Sequence, residues 1–92
     1  MAMFPITGRF VGDFVPHLVA VDTEDTMDQI ARKVASHSVG HRVARRPGHP
    51  GYEVLLAGEP LSAATTLAAV MAEQEILPLQ WFDVRFRETA DA

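Results

Sequence analysis

Two histidines in this chain have the spacing that metal binding on a helix would need. His37 and His41 are four residues apart, which would place both imidazoles on one side of a helix. No acidic residue lies between positions 29 and 52 to complete a set of ligands, and Gly40 is expected to end the helix between the two histidines. Because zinc and iron sites generally need a third protein ligand, we predict that this chain holds no metal.

Two acidic pairs, Glu24–Asp25 and Glu73/Glu75, have the residue type that acid–base catalysis uses. The first pair lies where a helix is predicted to begin, and the helix dipole explains acidic residues there. The second pair has no cation or nucleophile beside it in the sequence. The chain also lacks a glycine-rich phosphate loop, a Ser/His/Asp signature and an HExxH motif. We therefore predict a non-catalytic protein without catalytic or cofactor-binding residues.

A basic band interrupts an otherwise acidic sequence. The formal net charge is −4, yet residues 29–52 contain five basic residues and no acidic residue. Such a band could neutralise nucleic-acid phosphates, but Tyr52 is the only aromatic residue near it, so stacking platforms for bases are scarce. We therefore expect an acidic protein partner and no nucleic acid.

Length and composition define the class of protein. The chain has 92 residues, of which 48% are hydrophobic and 22% charged, as in an ordinary globular domain. It has no cysteine, so disulfides and thiolate metal sites are excluded. No apolar run is long enough to cross a bilayer, and no signal peptide is recognisable. We expect a single domain over residues 1–92, located in the cytoplasm and not in a membrane.

The first forty residues predict a hairpin followed by a helix. Apolar residues alternate over positions 4–10, Gly12 and Asp13 form a turn signal, and positions 14–21 predict a second strand. Pro16 is tolerated only on an edge strand or at a bulge, so this strand should border the sheet. Asp25 or Thr26 should begin the helix, whose buried face should be Met27, Ile30, Val34 and either Ala31 or Ser38.

The second half predicts shorter elements. Residues 47–51 are expected to form a loop, residues 52–56 a strand, and Gly58-Glu59-Pro60 a tight turn leading to Leu61. Thr66 should cap a short helix over residues 67–72 that buries Leu67, Val70 and Met71. The last strand should bury Phe82, Val84 and Phe86. The sequence therefore predicts an α+β fold, with one main and one short helix on a mixed sheet.

This order of elements resembles the β-grasp fold of ubiquitin. Three stretches are similar: the helix start Asp25-Thr26-Met27, residues 53–61 with their Ala-Gly turn, and the short-helix start Thr66-Leu67. The sequence ends without the Gly-Gly tail that conjugation needs, which argues against a ubiquitin-like modifier.

A closer resemblance is to the small gamma subunit of bacterial toluene monooxygenase hydroxylases, which are multicomponent di-iron monooxygenases. It rests on Phe4-Pro5, Asp13-Phe14, Leu18-Val19, Val21-Asp22, Asp25, Met27-Asp28-Gln29, Val34-Ala35, His37, Arg42-Val43-Ala44, Asp83-Val84 and Phe86. The resemblance implies a ubiquitin-like structural subunit of an enzyme that oxidises aromatic hydrocarbons or alkenes. It further implies that iron lies in a separate large subunit, on which this chain docks, and that a second hydroxylase subunit completes a paired assembly of three subunit types. The alternative is a free-standing ubiquitin-like adaptor or sulfur-carrier relative, against which the missing Gly-Gly end counts.

We expect the docking surface on the sheet face that points away from the main helix. Alternation along the last strand places Trp81, Asp83 and Arg85 on that face. The same argument places Leu18 and Leu55 there, and Leu55 resembles the exposed isoleucine of ubiquitin's binding patch. An apolar centre with a charged rim is typical of a protein interface.

The competing docking surface is the basic loop. Arg42, Arg45 and Arg46 could pair with carboxylates on a large subunit. The two surfaces should respond differently to salt, because ionic strength weakens charge pairs at a rim and not apolar burial.

Overall fold

The computed structural model describes residues 2–46 and 51–87. Its elements are β1 (Met3–Phe10), β2 (His17–Asp22), α1 (Met27–Ser38), β3 (Tyr52–Leu56), β4 (Glu59–Leu61), α2 (Leu67–Glu73) and β5 (Trp81–Phe86). These elements confirm the predicted α+β class, with one main and one short helix. The loop expected over residues 47–51 lies largely outside the described residues.

One five-stranded mixed sheet has the order β2-β1-β5-β3-β4. Strand β1 pairs with β2 in antiparallel and with β5 in parallel orientation, and β3 is antiparallel to both of its neighbours. Strand β2 lies at an edge, as the proline before it predicted.

The second strand starts later than predicted. We expected residues 14–21, but β2 begins at His17. Pro16 lacks a backbone N–H for strand pairing, and the backbone N–H of Val15 donates to Asp13 Oδ1 at 3.0 Å, which holds the preceding residues in a loop. Phe14 is therefore not a strand residue, and 85% of its surface is exposed.

The tight turn expected at residues 58–60 is also corrected. The turn is formed by Ala57 and Gly58, both with positive φ, of 53° and 84°. Residues 59–61 form β4, in which Pro60 pairs with Leu55. This proline is tolerated because β4 is an edge strand.

Helix α1 begins with a reciprocal cap. The hydroxyl of Thr26 accepts from the backbone N–H of Gln29 at 3.2 Å, and Gln29 Oε1 accepts from the backbone N–H of Thr26 at 2.8 Å. This capping box satisfies two of the free amides of the first turn. At the other end Gly40 has a φ of +84°, as expected for a residue that ends a helix.

The core lies between α1 and one face of the sheet. Both Ala31 and Ser38 are buried together with the predicted helix residues. Met71 and Phe86, which we predicted to be buried, are only partly buried against the core. Phe86 is the last residue of β5, so the sheet covers it less completely. Within the described segments, no helix is long and apolar enough to span a membrane.

Candidate interaction surfaces

The outer face of the sheet, opposite α1, brings most of the predicted docking residues together. Leu18 pairs with Thr7, and Thr7 pairs on its other side with Trp81, so Leu18 and Trp81 flank one β1 residue. Leu18 is 70% and Trp81 44% exposed. These two side chains form an exposed apolar patch on this face.

Leu55 lies on the outer face, but the prediction that it is exposed is wrong. Only 8% of its surface is accessible, and it does not belong to the main core cluster. Strand β3 has a paired strand on each side, and Leu55 lies between Pro60 of β4 and Asp83 of β5. Leu18 stays exposed because β2 has a neighbour on one side only. Leu55 therefore presents little accessible surface to a partner in this structure.

The charged residues of the outer face are paired within the chain. Arg9 Nε lies 3.2 Å from Asp83 Oδ1, and Arg85 Nη2 lies 2.6 Å from Glu53 Oε1. The indole N–H of Trp81 donates to Asp83 Oδ1 at 3.0 Å. These contacts fix Trp81 beside a balanced set of charges, so the face offers an apolar centre with polar neighbours.

The basic loop uses its first arginine internally. Arg42 Nε donates to both carboxylate oxygens of Asp13, at 2.9 and 3.0 Å. Arg42 Nη2 lies 2.7 Å from His17 Nε2 and donates to the backbone carbonyl of His37 at 2.9 Å. The Asp13 side chain is fully buried, and the hydrogen bond from Arg42 holds the pKa of that carboxyl far below its usual range. Arg42 thus joins the β1–β2 hairpin to the end of α1.

His37 lies beside His17, and not beside His41 as the spacing of four residues suggested. Its ring stacks on that of His17, with centroids 5.0 Å apart and planes inclined by 23°. Burial lowers the pKa of His17, and so do the electrostatic interactions with His37 and Arg42. Among residues 2–46 and 51–87, no three histidine or acidic side chains form a group that could hold a metal ion.

The other two arginines of the basic loop have weaker attachments. The Arg45 guanidinium packs against Gly40, and Arg45 lines a cavity of about 490 Å³ together with Arg32, Ser36, His41 and Tyr52. The guanidinium of Arg46 lies 5.4 Å from the ring centre of Phe86. In the described part of the chain, no carboxylate lies within ion-pair distance of Arg45 or Arg46.

The sequence did not reveal the ion pair between the buried Asp13 and the partly exposed Arg42, or the exposed Phe14 between β1 and β2. Asp13 and Arg42 are 29 residues apart, so no local pattern links them. The one local hint of a special role for Asp13 is its position directly after the turn residue Gly12. Phe14 begins an apolar stretch, which predicts a strand, whereas the structure places it in the loop before β2 with its side chain exposed.

The topology defines the class of protein as a ubiquitin-like β-grasp protein. A ubiquitin from Caldiarchaeum subterraneum superposes with a TM-score of 0.66 at 17% identity, covering 97% of this chain and 99% of that one. This likeness concerns the fold alone.

Residues 3–86 match the family described as Toluene-4-monooxygenase system protein B (TmoB), and the chain belongs to that family. It is 66% identical over 88 residues to the gamma subunit of the oxygenase component of the alkene monooxygenase system of Xanthobacter autotrophicus, covering 96% of this chain and all of that protein. It is also similar to a chain in the structure of a toluene 4-monooxygenase HD complex with the inhibitor 4-bromobenzoate, with a TM-score of 0.78 and 38% identity, covering 94% of this chain and all of that one.

Proposed function

We propose that this chain is the non-catalytic gamma subunit of a multicomponent di-iron monooxygenase hydroxylase that acts on aromatic hydrocarbons or alkenes. The observation that supports this most is the 66% identity to an alkene monooxygenase gamma subunit over that protein's full length. The structure adds that the described side chains form no group of three or more residues that could hold a metal ion.

The iron belongs, on this proposal, to a partner. A di-iron centre needs several carboxylate and histidine ligands, whereas two of the described histidines, His17 and His37, stack on each other and His41 lines a cavity beside arginines. The large hydroxylase subunit would hold the iron, and a second hydroxylase subunit would complete a paired assembly of three subunit types. The whole chain, residues 1–92, would act there as one domain in the cytoplasm.

Docking on the large subunit would use the outer sheet face. Leu18 and Trp81 supply an apolar centre, and Asp83 and Arg85 supply the polar rim. An exposed tryptophan already fixed by a hydrogen bond loses little conformational freedom on binding. Arg45 and Arg46 form the competing surface, with Arg42 as their internal support.

Co-expression with the candidate large and second subunits tests the function. We expect this chain to co-purify with them, and we expect preparations without it to contain the iron but to be less stable. Elution of the chain alone, with the other subunits intact and fully active without it, would contradict the proposal and favour a free-standing adaptor.

Paired variants separate the two docking surfaces. Leu18→Asp with Trp81→Ala should weaken association at every salt concentration while leaving this domain folded. Arg45→Glu should mainly slow association and make it less salt-dependent. Complete retention of the complex by the Leu18→Asp, Trp81→Ala double variant would exclude the sheet face and favour the basic loop.

A further inference from the structure

The loop between β1 and β2 exposes an aromatic side chain that nothing in the fold requires. Phe14 is 85% exposed, and its neighbour Val11 is also exposed. We call residues 11–16 the hairpin tip. Single exposed apolar residues are common, so exposure alone assigns no role. The decisive question is whether the chain holds this side chain in a fixed position.

Hydrogen bonds hold the hairpin tip on both sides of Phe14. The backbone N–H of Val11 donates to the carbonyl of Val84 at 2.7 Å, and that of Asp13 donates to the carbonyl of Phe10 at 2.9 Å. The fully buried Asp13 carboxylate then accepts from Val15 and from Arg42. Burying the Asp13 carboxylate costs desolvation free energy, and its hydrogen bonds with the partly exposed Arg42 and with the Val15 amide offset that cost and can fix one conformation of the tip.

The surroundings of the hairpin tip are basic. Helix α1 runs back toward the tip, so the basic loop after its C-terminus lies at this end of the molecule, and Arg42 touches the tip directly. Arg45 and Arg46 follow on the same loop without carboxylate partners in the described segments. Apart from Asp13, which pairs with Arg42, the acidic residues of the first half lie at the opposite end, around Asp22 and the start of α1. A partner that receives Phe14 would therefore have acidic residues around an apolar pocket.

We propose that Phe14 is an anchor residue that inserts into an acid-rimmed apolar pocket of the large hydroxylase subunit, with Asp13 and Arg42 as positioning residues. This inference rests on the proposed function and adds a second contact to the sheet face. Leu18 lies four residues after Phe14, at the start of β2, so the two surfaces adjoin. Buried aromatic side chains dominate interface energetics, and a preorganised loop loses little entropy on binding.

Binding of purified variants to the immobilised large subunit tests the anchor. Phe14→Ala should weaken binding at least tenfold, mainly through faster dissociation, with an unchanged melting temperature because the side chain is exposed. Phe14→Leu should recover most of the affinity. The matched control is Leu77→Ala, which removes another exposed apolar side chain (59%) from the turn before β5, away from the tip, and should change affinity less than twofold.

Three results would overturn the anchor proposal in distinguishable ways. Phe14→Ala binding within twofold of the wild-type chain would refute the anchor and leave the proposed function intact. Absence of wild-type binding would refute the proposed function, and the anchor with it. Loss of a wild-type dimer in Phe14→Ala, measured by sedimentation, with unchanged binding to the large subunit would assign the tip to a second copy of this chain.

A separate measurement tests whether Asp13 positions Phe14. Asp13→Asn should accelerate hydrogen exchange at the Val15 amide and weaken binding severalfold although Phe14 is present. In the double variant with Phe14→Ala, Asp13→Asn should cause little further loss of affinity, because Asp13 affects binding only through the position of Phe14. Fully additive losses would contradict positioning. If Asp13→Asn does not fold, Arg42→Lys provides the same comparison with the positive charge retained.

Discussion

Helix α1 packs closely on β1 at Gly8, and this contact provides a sharp test of the packing. Gly8 is buried in β1, and a Cβ added there would lie 2.6 Å from Val34 Cγ2 and 3.2 Å from Val34 Cγ1. Ordinary van der Waals contacts are at least 3.4 Å, so Gly8→Ala must displace the Val34 side chain. The helix can lie this close to β1 only because position 8 has no side chain.

Two opposing effects set the magnitude for Gly8→Ala. Overpacking a core by one methyl group typically costs about 1–3 kcal/mol. Alanine also loses less backbone entropy than glycine in a strand, which returns about 0.5–1 kcal/mol. We expect a net loss of about 0.5–2 kcal/mol in the free energy of unfolding. Val34→Ala alone removes two methyl groups and should cost about 2–3 kcal/mol, including the cavity.

The double variant distinguishes overpacking from other causes. In Gly8→Ala, Val34→Ala the new methyl group occupies space that the valine has vacated, so the total loss should be smaller than the sum by about 1 kcal/mol or more. Urea unfolding followed by circular dichroism measures each value. The control pair is Gly8→Ala with Val70→Ala on α2, whose losses should add. Additive losses for the Gly8 and Val34 pair, or no loss from Gly8→Ala, would refute this account of the packing.

Three further predictions concern a titrating group, a cap and a buried leucine. Burial, His37 and Arg42 hold the pKa of His17 below 6.5, against the opposing charge of Asp13. As the pH falls, His17 is therefore protonated in the unfolded chain before it is protonated in the folded chain, so its contribution to stability should be complete above pH 6.5 and decrease as the pH is lowered through that value. Thermal melts at a series of pH values should show a weaker pH dependence for His17→Gln than for the wild type. Thr26→Ala removes the helix cap and should cost about 0.5–2 kcal/mol in urea unfolding, whereas Thr26→Ser should cost little. Leu55→Asp places a charge at an almost buried position and should cost about 3 kcal/mol or more, so a variant chain as stable as the wild type would contradict the burial of Leu55.

The secondary structure was accessible from the sequence wherever a local pattern determines it. Apolar residues at helical spacing after Thr26 predicted α1, and alternation predicted β1 and β5, because each pattern reflects which side of one element is buried. Errors occurred where a local signal was ambiguous. Phe14 begins an apolar stretch and so suggested a strand, and Pro60 suggested a turn although the edge position of β4 tolerates it.

The sequence by itself determined the order of elements, the buried face of α1 and the family resemblance, since these depend on neighbours within a few residues along the chain. Tertiary structure alone decided how distant residues meet. It placed Leu55 between two strands and thereby buried it, joined Asp13 to Arg42, and stacked His37 on His17 in place of His41. Contacts of this kind depend on the order of strands in the sheet and on how the helix crosses it, which bring residues 20 to 30 positions apart into contact. The local pattern of apolar and polar residues carries no information about such distant contacts.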